Sequence, residues 1–127
     1  MKLWRRHIFG LLLMTICLVI VNQTVQAQSQ SSPPKAKPAL YEFGAGYCYS
    51  CKEMEKVMAE LKPSHGEQVE FRMVYADKEM PLFQQYKIML IPTQVFLDIS
   101  GKEVDRHIGP LTKEEVLQKL RELKFIR

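Results

Sequence analysis

The chain has 127 residues, 46% of them hydrophobic, with 18 basic and 14 acidic side chains and 3 cysteines. Three of the basic residues and none of the acidic ones lie before Gln28, so the remainder carries 15 against 14. That near balance gives no support for a nucleic-acid partner, and the length bounds the chain to one small domain with a modest core.

Lys2, Arg5 and Arg6 precede an apolar run from Ile8 to Val21, and the polar stretch after it ends in Val25-Gln26-Ala27. A basic start, a short apolar core and a small-x-small ending are the features of a secretory signal peptide over residues 1–27. The run is shorter than the roughly 20 residues that a spanning helix needs. An uncleaved anchor is the alternative, and both outcomes put the rest of the chain outside the cytoplasm, in the periplasm or its equivalent. Cys17 lies inside the apolar run and reads as a small hydrophobe of the leader. Residues 28–38 (QSQSSPPKAKP) read as a polar, proline-rich linker, and residues 39–127 as the folded domain.

Ala39–Gly44 is apolar and ends at glycine, which predicts a strand. From Tyr49 the period changes: Met54, Val57, Met58 and Leu61 form the stripe of an amphipathic helix, with Pro63 and Gly66 expected to end it. Val69–Ala76 predicts a second strand and Lys78–Tyr86 a short helix. Thr93–Leu97 and Glu103–Ile108 are strand-like and joined by the turn Asp98-Ile99-Ser100-Gly101. Thr112 with Glu115 marks the capping box of a last helix, whose stripe is Val116, Leu117, Leu120 and Leu123. The order β-α-β-α-β-β-α implies an α/β domain: a first parallel pair joined through a helix, then a hairpin, in a mixed four-stranded sheet flanked by helices.

Cys48 and Cys51 then fall where the first strand ends and the first helix begins. Three chemistries suit two cysteines at this spacing. A structural disulfide closing so short a loop constrains the unfolded chain very little. A zinc site needs two more ligands, and His65 and His107 stand isolated. A redox pair gains from the position, because unpaired N–H groups and the dipole at a helix N-terminus stabilise a thiolate. Cys48 is then the attacking thiol and Cys51 the resolving one. Met54, Met58, Met73, Met80 and Met89 raise the possibility of copper, but their positions fit packing.

The stretch Glu42-Phe43-Gly44-Ala45-Gly46-Tyr47-Cys48-Tyr49-Ser50-Cys51-Lys52 resembles the thioredoxin family's strand, aromatic residue, CxxC and trailing lysine. Tyr86–Thr93, with Ile91-Pro92 near its end, is similar to the family's second signature, and Gly101 and Gly109 match later glycines. The resemblance runs from Ala39 to Leu123. It implies a thioredoxin-like fold, thiol–disulfide exchange at Cys48 and Cys51, and a cis Ile91–Pro92 bond facing them. It also implies that the N-terminal strand-and-helix unit of the family is reduced, that Glu42 stands where the family has a buried aspartate, and that Met73 replaces a nearby lysine.

By pattern alone Glu42 fits a wet strand end. The resemblance makes it a buried acid with a raised pKa that accepts the proton of Cys51. Tyr47 and Tyr49 are either a contact surface for protein substrates or half-buried packing residues. With Ile91 and Pro92 they form the expected substrate-binding set. Ser50 is a possible donor to the Cys48 thiolate, and Lys52 reads as a solvated helix residue. No metal and no bound cofactor are expected. The absence of a histidine between the cysteines favours a reductase, which in related envelope proteins takes its electrons from a membrane-embedded donor. Protein disulfides are the expected substrates and a monomer the expected working unit. The rivals are a copper-handling module and a non-catalytic domain with a permanent disulfide.

Overall fold

The computed structural model describes residues 36–127. The leader, Cys17, the cleavage position and the linker as far as residue 35 lie outside the described residues. The elements follow the expected order: β1 (Ala39–Gly44), α1 (Tyr49–His65), β2 (Glu70–Tyr75), α2 (Met80–Gln85), β3 (Thr93–Leu97), β4 (Glu103–Ile108) and α3 (Lys113–Glu122). The strands assemble as one four-stranded sheet in the order β2-β1-β3-β4. β1 runs parallel to β2 and antiparallel to β3, and β3 and β4 form the antiparallel hairpin.

Strand alternation divides the core in two. Leu40, Phe71 and Phe96 pack with Met54, Met58 and Leu61 of α1 and with Val116 and Leu120 of α3. On the other face Phe43, Val74 and Val95 pack with Phe83 of α2. Phe43 meets Phe83 edge to face at 5.1 Å. The sheet is therefore covered on both sides, and the central strand β1 has almost no exposed residue.

Several boundaries differ from the sequence expectation, each for a local reason. Pro63 lies inside α1 rather than ending it. The ring removes one N–H near the helix end, while Gly66 N–H still closes onto Lys62 O and Ser64 Oγ bonds Leu61 O. Val69 is lost from β2 because its N–H is taken by His65 O. The short second helix begins at Met80, since Lys78 and Glu79 spend their N–H groups on Tyr75 O in a turn and Pro81 suits a helix start. The hairpin is tied by Asp98 Oδ1, which accepts from the N–H groups of Ser100 at 2.8 Å and Lys102 at 3.1 Å. Gly101 there has φ +80°, a conformation that favours glycine. α3 carries the full capping box, with Thr112 and Glu115 bonding reciprocally.

Candidate active site

β1 delivers the chain to Gly44, three residues turn, and Cys48 becomes the N-cap of α1 rather than the last residue of the strand. Cys48 has extended backbone, with φ −86° and ψ 120°, and its N–H bonds Ala45 O at 3.0 Å. Its sulfur accepts from Cys51 N–H at 3.4 Å and lies 3.4 Å from Ser50 Oγ. These are the donors a thiolate would use, at the helix end where the dipole also favours negative charge. Cys48 is half-buried and Cys51 is buried under it. The two form a disulfide with Cα atoms 5.3 Å apart. The accessible sulfur is thus the one that a partner can reach.

Gly44 sits directly against the buried sulfur: a Cβ built on it would lie 2.9 Å from Cys51 Cβ and 3.2 Å from Sγ. Any side chain here would crowd Cys51. Two residues back along the same face of β1 is Glu42, and its solvent exposure is 0%. Burial pushes its carboxyl pKa up to about 8, opposed by a hydrogen bond from Gln94. Strand pairing sets the row: Met73 of β2, Glu42 of β1, Gln94 of β3 and His107 of β4 stand side by side on the face that α1 and α3 cover. Gln94 Nε2 donates to Glu42 Oε2 at 2.8 Å.

Phe43 pairs with Thr93, so Pro92 lies at the same end of the sheet as Gly44 and the cysteines. The Ile91–Pro92 peptide bond is cis. The loop is held by Thr93 Oγ1 donating to Leu90 O at 2.7 Å and by Gly109 N–H donating to Pro92 O at 2.8 Å. Gly109 has φ +108°. The adjoining loop is anchored on α1 by Leu111 N–H, which bonds the buried Met54 sulfur at 3.1 Å.

Of the residues singled out in the sequence, Cys48, Cys51, Glu42, Ile91 and Pro92 gather at this one end of the sheet. Tyr47 and Tyr49 are 85% and 79% exposed, which removes the packing alternative for both. Met89 and Leu90 join the apolar rim at 88% and 60% exposed, and the packing role expected of Met89 is therefore corrected, as is that of the exposed Met80. Met89 lies in a loop with no periodic stripe to pull it inward, and Met80 is the first residue of α2, whose buried contact is made by Phe83. Sequence reasoning also missed Gln94. Its only signal is a lone amide in a strand of five residues, all of which the fold buries. Among the described residues no three His, Cys, Asp or Glu side chains come together as a metal site.

The thioredoxin family model matches residues 19–122. Among curated proteins, a thiol:disulfide interchange protein TxlA homolog of Synechocystis is 36% identical over 94 residues, covering 68% of this chain and 52% of that protein. Thioredoxin of Alicyclobacillus acidocaldarius is 31% identical over 80 residues, covering 63% of this chain and 75% of its own. The chain therefore spans about half the length of the first of these relatives. Among solved structures, Fasciola hepatica thioredoxin superposes with a TM-score of 0.62 at 27% identity, covering 70% of this chain and 83% of that one.

Proposed function

The chain belongs to the thioredoxin family, and on that premise we propose that it is a thiol–disulfide oxidoreductase of the cell envelope that works as a reductase of protein disulfides. The observation that carries the reading is the Cys48–Cys51 disulfide at the N-terminus of α1, with Cys48 half-buried and Cys51 buried against Gly44, two residues along β1 from the buried Glu42.

In the reducing direction the Cys48 thiolate attacks one sulfur of a substrate disulfide. A Cys48–substrate bond forms, and the second substrate sulfur leaves as a thiolate that takes a proton from solvent. Cys51 then gives its proton to the Glu42 carboxylate and attacks Cys48 Sγ. The Cys48–Cys51 bond forms, the first substrate sulfur leaves as a thiolate, and the substrate is reduced by two electrons. What supports the reducing direction is how little holds the Cys48 anion: one backbone N–H, the Ser50 hydroxyl and the helix dipole, with Tyr49 rather than an imidazolium beside it. So limited a stabilisation leaves the dithiol form a good reductant. Tyr47, Tyr49, Ile91 and Pro92, with Met89 and Leu90, receive the substrate chain.

The basic, apolar and small-x-small leader supports export. An exported reductase needs a dithiol donor that crosses the membrane, so a membrane-embedded electron donor is its partner. The monomer is the working unit, and no bound cofactor enters the scheme. The test is the equilibrium reduction potential of Cys48–Cys51 in the full chain against a glutathione or dithiothreitol series. A potential well below the glutathione pool is expected. A potential above it would make the protein an oxidase or isomerase and would overturn the direction.

A further inference from the structure

Glu42 and Gln94 stand opposite each other in the β1–β3 pairing, and both are 0% exposed. Gln94 spends one N–H on Glu42 Oε2, while Glu42 Oε1 and Gln94 Oε1 have no hydrogen-bond partner. A buried amide in this layer is unfavourable unless its polar groups are used, and an aliphatic side chain would fill the space without that penalty. The amide therefore has a task. An N–H on Oε2 fixes the carboxyl group and favours negative charge on that oxygen, which leaves Oε1 as the atom able to carry or receive a proton.

We propose that Gln94 is a positioning residue for thiol–disulfide exchange: it anchors Glu42 through Oε2 and presents Oε1 as the oxygen that exchanges a proton with Cys51. The proposal rests on the exchange reading above and assigns its proton transfer to an atom. When the mixed disulfide resolves, Cys51 S–H gives its proton to Oε1 and the sulfur takes up the bond to Cys48. When the disulfide opens in reverse, the Oε1 proton returns to the departing Cys51 sulfur.

The neighbours leave Gln94 as the polar group acting on this acid. On β1 the same face carries Leu40 and Gly44, which do not titrate. β2 brings Met73 opposite and Tyr75 further along, and Tyr75 is engaged with Glu55 of α1. α1 also brings Cys51, which lies against Gly44, two residues along the same face of β1. β4 brings His107 beyond Gln94 and Asp105, with Glu115 and Lys119 of α3 about them, and Asp105 is paired with Lys119. The shift of Glu42 arises from burial and from the Gln94 bond, with no contribution from any of these charges.

The test is a carbon-13 NMR titration of the Glu42 carboxyl in the full chain, together with the pH profile for resolution of a mixed disulfide between Cys48 and glutathione. Gln94→Met preserves bulk and removes the donor. It is expected to move the Glu42 midpoint up by about one pH unit, the worth of one hydrogen bond to a charged group. The resolution profile should move with it, slowing resolution about tenfold near neutral pH. Gln94→Asn keeps an amide too short to reach Oε2 and should behave alike, which secures the result if the methionine variant does not fold. In a Glu42→Gln background Gln94→Met should leave the profile where it is. An unmoved midpoint in a folded variant overturns the proposal, as does a profile shift that survives in Glu42→Gln. A moved midpoint in a chain whose wild-type form exchanges no disulfides overturns instead the exchange reading and, with it, the catalytic half of the proposal.

Discussion

At the residue scale the decisive group is Glu42, a carboxyl with its ordinary value near 4.5 held at about 8 by burial. In the folded chain it keeps its proton where the unfolded chain has already lost its own. The folded state therefore binds more protons between those two values, and stability falls as pH rises through that window, by up to about 1.4 kcal/mol per pH unit. Below pH 4.5 the contribution is fully present, and above 8 it is gone. Glu42→Gln removes the titration. Urea denaturation of the oxidised protein should give the variant a flatter pH dependence across this window and higher relative stability at its alkaline end, while mixed disulfides at Cys48 should persist longer. An equally steep pH dependence in the variant would place the titrating group elsewhere.

Gly44 makes the same argument from shape. The sulfur of Cys51 lies where the side chain of residue 44 would stand, so the strand that carries Glu42 must have no side chain two residues later. The close approach and the buried acid are two consequences of one strand running beneath one helix end.

At the element scale, α1 and α3 each begin on a side-chain cap. α1 begins on a sulfur cap, and that sulfur is the attacking atom in the function proposed above. α3 begins on an ordinary capping box, Thr112 with Glu115, remote from the chemistry in role. Thr112→Ala should lower stability by about 1 kcal/mol, read as a shifted urea midpoint with an unchanged denaturant slope. The reduction potential of Cys48–Cys51 should stay where it was. A changed potential would mean that α3 sets the geometry of the pair and does not merely cover the sheet. α1 and α3 share the core on one face of the sheet and are bridged by Lys113 and Glu60, while the Leu111 N–H on Met54 sulfur ties the loop after β4 to α1.

At the larger scale, helices pack on both faces of the sheet, and the cysteine pair sits at one of its ends. Tyr47, Tyr49, Met89 and Leu90 form an exposed apolar rim there, which in the proposed function a substrate chain covers. Replacing both Met89 and Leu90 with serine should raise KM for a protein disulfide roughly tenfold, since about 1.4 kcal/mol of apolar burial is lost. The loss for a small-molecule disulfide should be smaller. Equal losses for the two would mean that the rim shapes the redox pair and does not bind the substrate.

The sequence by itself determined the element order, the placement of Cys48 and Cys51 at a helix start, the Thr112 cap and the apolar stripes that face the sheet. These are short-range properties: period, capping and turn chemistry act over a few residues and are written where they operate. Boundaries such as that of α1 beyond Pro63 were less legible, because turn hydrogen bonds compete with propensity residue by residue. Tertiary structure alone decided what Glu42 meets. Its partner Gln94 is 52 positions away, and only strand register brings the two together. The same holds for the exposure of Met89 and Leu90, which belong to no periodic element and so carry no local mark of being outside. Burial and register are properties of the assembled sheet, and the Glu42–Gln94 pair is made of both.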